Sequence, residues 1–272
     1  MSKKSKSSNN NLSYGYCHVS LAALRKEPSH TSEMVSQLLF GEHFTIIDLI
    51  TNDTWAQIKN SFDGYEGWLH KKQFIPISKS TFKRIEESEL NISYEMQEAL
   101  VMENDKIVIP IPAGSHLPCL QKVKFTIEDK TYIFRGKSKT QKSTPDRNRI
   151  IQTAFEFLHA PYLWGGRTEF GIDCSGFSQM VYKLNGLKLP RDAYQQAELG
   201  TELDFVEAAQ PGDLAFFDND QGKITHVGII ISPESIIHAS GTVHVDGLDL
   251  KGIFSRETKE YSHKLRSIRR YF

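Results

Sequence analysis

The sequence predicts an α+β protein in which small β-rich units come first and a helix-then-strand unit comes last. Residues 13–77 hold short β-rich segments broken by turn signals, whereas residues 144–272 place amphipathic helices ahead of apolar strands. At 272 residues the chain exceeds a usual single domain, so two or three units are expected. They read as a disordered tail at 1–12, a small barrel at 13–77, a second, degenerate barrel or linker domain at 78–140, and the main domain at 141–272.

In the first unit Val35 to Leu39, Phe44 to Ile50, Trp55 to Ile58 and Gly67 to Leu69 are β-rich, and Gly41-Glu42, Asn52-Asp53 and Asp63-Gly64 mark turns between them. Strands this short and close suggest a barrel. In the second unit Thr81 to Met102 has helical stretches rich in Glu. Lys106 to Ile111, Val123 to Glu128 and Thr131 to Arg135 then read as strands, and the polar run Lys137 to Ser143 reads as a linker. In the third, Thr144-Pro145 reads as an N-cap with proline at the first helical position, and Ile150, Ile151, Ala154, Phe155 and Leu158 mark a buried helix face ending before Pro161. A second helix carries Phe177, Met180, Val181 and Leu184 at i, i+3, i+4 and i+7 and stops near Asn185-Gly186. Strands are expected at Asp213 to Phe217, His226 to Ser232, Ser235 to Ala239 and Leu265 to Phe272.

Composition removes several function classes. The 33 basic and 33 acidic side chains give no net charge, so neither a nucleic-acid nor a membrane partner is expected from bulk charge. Met1 to Asn11 lacks the apolar core of a secretory signal and no run is long enough to span a bilayer, which predicts a cytoplasmic protein. The three cysteines, Cys17, Cys119 and Cys174, are far apart and odd in number, which argues against disulfides and a paired-cysteine zinc site and for a reduced compartment.

One cysteine stands apart. Asp173 is a natural N-cap, which puts Cys174 in the first helical turn, where free N–H groups and the helix dipole favour thiolate. A nucleophilic cysteine needs a base, and the base an orienting group. His226 opens the apolar strand Thr225-His226-Val227-Gly228-Ile229-Ile230-Ile231, and His238 sits in the next one, Ile236-Ile237-His238-Ala239-Ser240. Adjacent antiparallel strands can set two such side chains together on one face.

Taken together, Pro161-Tyr162-Leu163-Trp164-Gly165-Gly166, Asp173-Cys174-Ser175-Gly176, Pro211-Gly212-Asp213-Leu214 and Thr225-His226-Val227-Gly228 resemble the motif set of NlpC-type cell-wall cysteine peptidases, in order, over residues 145–272. Leu24-Arg25-Lys26-Glu27-Pro28 and Asp63-Gly64-Tyr65-Glu66-Gly67-Trp68-Leu69 resemble a bacterial SH3-like domain. The resemblance implies a papain-like catalytic domain preceded by one or two SH3-like β-barrels. It implies Cys174 as nucleophile, His226 as general base and acid, and His238 as the group that holds its tautomer, with Tyr162 beside the oxyanion.

The layout resembles one branch in particular, the γ-D-glutamyl-L-diamino acid endopeptidases of dipeptidyl-peptidase type. That branch implies a murein tripeptide or tetrapeptide substrate with a free N-terminal L-Ala, release of L-Ala-γ-D-Glu in murein peptide recycling, no cofactor, no metal, and a monomer. The resemblance implies that Tyr65 contacts the substrate amine, with Glu33 a further candidate on the same domain. Asp173, Ser175 and Asp192 would contact the peptide beside the thiol. Trp164 reads either as a substrate contact or as packing under the nucleophile helix, Tyr65 as substrate contact or barrel rim, and Asp213 as the residue that fixes a turn. Relatives often have serine after the aspartate of Pro190-Arg191-Asp192, where this chain has Ala193.

Three rival readings exist. Cys174, His226, His238 and His244 are a conceivable zinc set, but no paired-ligand spacing and no His-Glu-x-x-His helix supports it. A non-catalytic peptidoglycan-binding protein would be expected to lose the cysteine or a histidine. A thiol amidase or acyltransferase would keep the chemistry with another substrate.

Overall fold

Alternating inward and outward side chains build the first sheet. In β2 (Leu21–Arg25) only Ala22 and Leu24 face the core, as period-2 geometry requires. The remaining barrel strands are β1 (Tyr14–Cys17), β3 (Met34–Leu39), β4 (His43–Leu49), β5 (Trp55–Asn60), β6 (Glu66–His70) and β7 (Phe74–Pro76), in the order β3-β2-β6-β5-β4-β1-β7. Leu24, Leu38, Phe44, Ala56, Ile58, Leu69 and Phe74 fill its interior. The fold is taken from a computed structural model that describes residues 13–50, 54–104, 106–140, 144–203 and 206–272. The expected tail at 1–12, the expected turn at Asn52-Asp53 and the end of the expected linker at 141–143 lie outside the described residues.

The middle unit begins with α1 (Lys79–Glu87), capped by Ser78, whose hydroxyl accepts from the Thr81 N–H. Its strands are β8 (Asn91–Ser93), β9 (Gln97–Met102), β10 (Ile107–Pro112), β11 (Lys124–Ile127), β12 (Lys130–Phe134) and β13 (Ser138–Thr140). Four of them form an antiparallel sheet, β10-β9-β12-β11, and β8 pairs with β13. The helical reading of Thr81 to Met102 is therefore corrected: the helix ends at Glu87, and Gln97–Met102 is a strand flanked by β10 and β12. Pairing on both sides, with Leu100 buried, overrides the local helix preference of its glutamates. The sheet packs on the barrel through Phe40 and Tyr16, and the Tyr16 and Tyr132 hydroxyls lie 2.9 Å apart.

The main domain comprises α2 (Arg147–Glu156), β14 (Arg167–Thr168), β15 (Gly171–Ile172), α3 (Cys174–Leu184), α4 (Ala193–Ala197), β16 (Thr201–Glu202), β17 (Leu214–Asp218), β18 (Ile224–Ser232), β19 (Ser235–Ser240), β20 (Thr242–Asp249), β21 (Gly252–Phe254) and β22 (Tyr261–Arg270). The sheet runs β16-β22-β17-β18-β19-β20-β21, and β22 also pairs with β21, so it curls until its ends meet. Every residue of α3 is buried between α2 and the strands β18 and β19. Helices ahead of a curled antiparallel sheet make the chain α+β.

The start of α2 differs from expectation. The cap is Asp146, whose carboxylate accepts from the Arg149 N–H, so Pro145 precedes the helix and is not its first residue. This turns the buried face to Ile150, Thr153, Ala154 and Phe157, and Phe155 is 42% exposed.

The barrel docks on the main domain through β3 and the turn after it. Gln37 accepts from the Arg167 guanidinium and backbone N–H, both at 2.7 Å, and the Ser36 hydroxyl accepts from Arg191 Nε at 3.1 Å. Gly165 has φ +77°, and a Cβ there would sit 2.4 Å from the Met34 carbonyl oxygen, so glycine is required for this approach. Beside it Glu42 is fully buried. It binds Arg167 through both oxygens at 2.9 and 3.0 Å and Lys183 at 2.7 Å, with His116 of the middle unit at 3.9 Å. One carboxylate thus ties all three units together. Among the described residues no helix is long and apolar enough to cross a membrane.

Candidate active site

Asp173 caps α3 and sets Cys174 at its first position. The Gly176 N–H donates to Asp173 Oδ1 at 2.7 Å, and the Gly165 N–H donates to Oδ2 at 2.8 Å. Arg191 binds the same carboxylate through both nitrogens at 3.0 and 2.6 Å and also donates to the Ser175 hydroxyl at 3.0 Å. Asp173 is therefore a structural hub whose oxygens are already occupied. Arg191 is itself buried, so one guanidinium links the cap of the nucleophile helix to Ser36 of the barrel.

The sheet meets the helix start at β18. The Cys174 sulfur lies 4.0 Å from the carbonyl of Thr225, the residue before His226. His226 Nε2 is 2.9 Å from His238 Nδ1, and His238 Nε2 is 3.4 Å from Asp246 Oδ2. The Arg256 N–H holds the other Asp246 oxygen at 2.8 Å. A relay runs from carboxylate to imidazole to imidazole. Because Nε2 of His226 is engaged by His238, Nδ1 is the nitrogen left for the thiol. His263 stacks on the His226 ring with centroids 4.0 Å apart.

Burial dominates the electrostatics here. It pushes the Cys174 thiol up to about 12, with the Asp173 charge adding to the rise. Burial, then His263, His238 and His244, hold His226 well below the usual imidazole range. This runs against the expectation of a dipole-favoured thiolate, because burial outweighs the helix terminus and raises the thiol. Burial also raises Asp246, but hydrogen bonds from His238 and the Arg256 N–H outweigh it and hold that carboxyl down to about 2, so it stays ionised. Burial pushes the Tyr162 hydroxyl, beside Cys174 and Asp173, up to about 12.

The cleft over Cys174 holds about 760 Å³ and takes walls from both the barrel and the main domain. Tyr65, Glu33, Trp164, Asp173, Ser175 and Asp192 line it with Cys174, while Tyr162, His226 and His238 lie outside its lining. Trp164 does not pack under the nucleophile helix: it is 58% exposed and its indole N–H donates to Glu33 at 2.8 Å, across the interface. That bond, then one from Lys26, lowers the Glu33 carboxyl. Burial and then the neighbouring Asp192 charge raise the Tyr65 hydroxyl, and burial raises the Asp192 carboxyl. Asp213 is more than a turn residue. It accepts from the Gln210 N–H at 2.8 Å and pairs with Arg147 and Arg270.

Sequence reasoning passed over Arg191, Asp246 and His263. Arg191 was visible only as part of a loop. Asp246 carried a signal: it stands two residues past His244, on the same face of a strand whose register sets His244 opposite His238. His263 lies in β22, two residues ahead of Leu265, where that strand is expected to begin.

Comparison with known proteins places these features. Residues 159–265 match the NlpC/P60 family, and residues 24–74 match the bacterial dipeptidyl-peptidase Sh3 domain. A gamma-D-glutamyl-L-lysine dipeptidyl-peptidase of Bacillus cereus is 30% identical over 239 residues, covering 78% of this chain and 68% of that relative. A protein of the same name from Bacillus subtilis is 42% identical over 127 residues, covering 45% of this chain and 40% of that relative. A crystal structure of an NlpC/P60 family protein from Bacillus cereus superposes with a TM-score of 0.80 at 22% identity, covering 95% of this chain and 99% of that one, which shows a shared fold.

Proposed function

Since the chain belongs to the NlpC/P60 family and is a cysteine peptidase acting on peptidoglycan peptides, we propose that it cuts the γ-D-glutamyl–diamino acid bond of murein peptides bearing a free N-terminal L-Ala, releasing L-Ala-γ-D-Glu. The observation that carries this reading is the shared wall of the cleft: the barrel supplies Glu33, Tyr65 and Trp68 beside Cys174. In this reading the barrel limits the groove on that side, so that a short peptide with two residues ahead of the scissile bond fits it.

In this reading Cys174 gives its proton to Nδ1 of His226 as it attacks the γ-carbonyl carbon of D-glutamate. The Cys174 N–H, in the first turn of α3 and without an intrahelical acceptor, faces the oxyanion that forms. The proton on His226 then goes to the leaving amine, and water hydrolyses the thioester with His226 again as base. His238 and Asp246 hold the imidazole in the tautomer with Nδ1 free. The substrate ammonium meets the Tyr65–Asp192 pair and Glu33. Asp173, saturated by Arg191 and backbone donors, acts by fixing the cap and not by binding the amine directly. Ser175, tied to Arg191, shapes the same wall. Recycling of imported wall peptides by a cytoplasmic monomer is the cellular setting that this reading implies.

The test is hydrolysis of L-Ala-γ-D-Glu-meso-diaminopimelate against its N-acetylated form. The reading expects cleavage of the free-amine peptide alone. Equal cleavage of both would overturn the amine requirement, and cleavage of neither would remove the substrate assignment.

A further inference from the structure

Beside the relay stands one side chain that the reaction does not use, His244. His238 on β19 stands opposite His244 on β20, and Asp246 follows two residues later on the same face. One ring nitrogen of His238, one of His244 and one Asp246 oxygen all lie within 4.8 Å of one another. Asp246 Oδ2 is 3.4 Å from His238 Nε2 and 3.1 Å from His244 Nε2. Ligand atoms at about 2.1 Å from a tetrahedral zinc ion stand about 3.4 Å apart, so two of the three spacings already suit one ion.

The hydrogen bonding of His244 points the same way. Its Nδ1 lies 2.9 Å from the Thr242 carbonyl oxygen, which can only accept, so Nδ1 carries the proton. That contact turns Nε2 toward Asp246 Oδ2 and leaves it as the ligand atom of the ring. His244 Nε2 and Asp246 Oδ2, 3.1 Å apart, are spaced as two ligand atoms of one ion are. The Arg256 N–H fixes the remaining Asp246 oxygen, an outer contact that orients Oδ2 toward both imidazoles. The His244 side chain is 33% exposed, which gives an ion a way in, whereas His238 and Asp246 are buried.

We propose that His238, His244 and Asp246 form an inhibitory site for a divalent zinc-type cation, with water as the fourth ligand. This rests on the reading of His226 as the base. In the working relay the Nε2–H of His238 donates to Asp246, and His238 Nδ1 accepts from the Nε2–H of His226. That leaves a lone pair on His226 Nδ1. A cation on His238 Nε2 displaces the proton there. Neutral His238 then carries its proton on Nδ1 and donates it to His226 Nε2, and His226 keeps its own proton on Nδ1. One proton leaves at His238 Nε2 and one arrives at His226 Nδ1, both rings stay neutral, and the base is blocked at the atom that must receive the thiol proton. The ion therefore switches the enzyme off through its tautomers without touching Cys174.

Two measurements on the full chain test this. Zinc binding is read by competition with a chromophoric chelator in Cys174→Ala protein, which removes any thiolate site, and in Cys174→Ala with His244→Ala. Turnover is read in the wild type and His244→Ala during zinc titration and after chelation. The proposal expects one zinc per chain in the first protein and at least about tenfold weaker binding in the second. It also expects reversible inhibition of the wild type, and a His244→Ala enzyme that keeps its metal-free turnover while needing at least about tenfold more zinc for the same inhibition. Equal binding or equal inhibition with and without His244 would overturn it. Binding that depends on His244 in a chain with no turnover would instead overturn the reading of the function and leave the metal site standing.

Discussion

Replacing Glu42 with Gln should loosen the joint on which the cleft depends. Its carboxylate, with no exposure, pairs with both Arg167 and Lys183, also fully buried, and accepts the Leu39 N–H at 3.0 Å. Lys183 already sits under strain: burial and the Arg167 charge, against the pull of Glu42, bring its ammonium down to about 8. Breaking a buried pair costs about 3–5 kcal/mol because the surviving charge is left without compensation. In a chain of this size that corresponds to a fall in Tm of about 6–20 °C. Thermal unfolding at pH 7 gives the first number. The double variant Glu42→Gln with Lys183→Met removes one stranded cation and should cost less than the sum of the single changes by about 1–3 kcal/mol. A single-variant loss under about 1 kcal/mol, or strict additivity, would refute the reasoning.

The same carboxylate sets an acid limit. Burial raises Glu42, but Arg167, Lys183 and His116 outweigh it and hold the folded-state carboxyl far below its ordinary value. Its contribution is thus complete above about pH 4.5 and drains away as pH falls toward the folded-state value, by at most about 1.4 kcal/mol per pH unit. Wild-type Tm should fall more steeply than that of Glu42→Gln below pH 4.5, and parallel curves would contradict this. Arg191→Met removes the bidentate anchor of Asp173 and should lower kcat on the tripeptide about 100-fold, by misplacing the start of α3; an unchanged kcat would show that the cap needs no such support. Tyr65→Phe keeps the ring and deletes the hydroxyl that meets Asp192, so KM for the free-amine peptide should rise about tenfold with kcat little changed, and an unaltered KM would remove Tyr65 from amine recognition. Asp246→Asn should reduce kcat by about 100-fold or more by releasing the His238 tautomer, read as kcat under chelation, and full activity would break the relay.

What was legible in the sequence was what local patterns encode. The cap at Asp173, the i, i+3, i+4, i+7 face of α3 and the apolar runs around His226 and His238 were all visible, because each depends on residues close in the chain. What escaped was decided by partners far away. Glu42 looked like a turn residue, yet Arg167 and Lys183, more than 120 positions on, bury it completely. Gln97–Met102 looked helical until strands on both flanks claimed it. β20 has few apolar residues in sequence and earns its place only by pairing with β19, so Asp246 stayed hidden with it. The thiol was placed correctly at a helix start, but its proton affinity depends on burial by the sheet, which no helix pattern reports.

The central claim is that the Cys174 sulfur opens the γ-D-glutamyl bond. Mass spectrometry of the products from L-Ala-γ-D-Glu-L-Lys or its diaminopimelate counterpart, run with wild type and Cys174→Ala side by side, tests it most directly. The account predicts L-Ala-γ-D-Glu and the free diamino acid from the wild type and no product from the variant. Dipeptide release by Cys174→Ala at a comparable rate, or wild-type cleavage at the L-Ala–D-Glu bond, would contradict it.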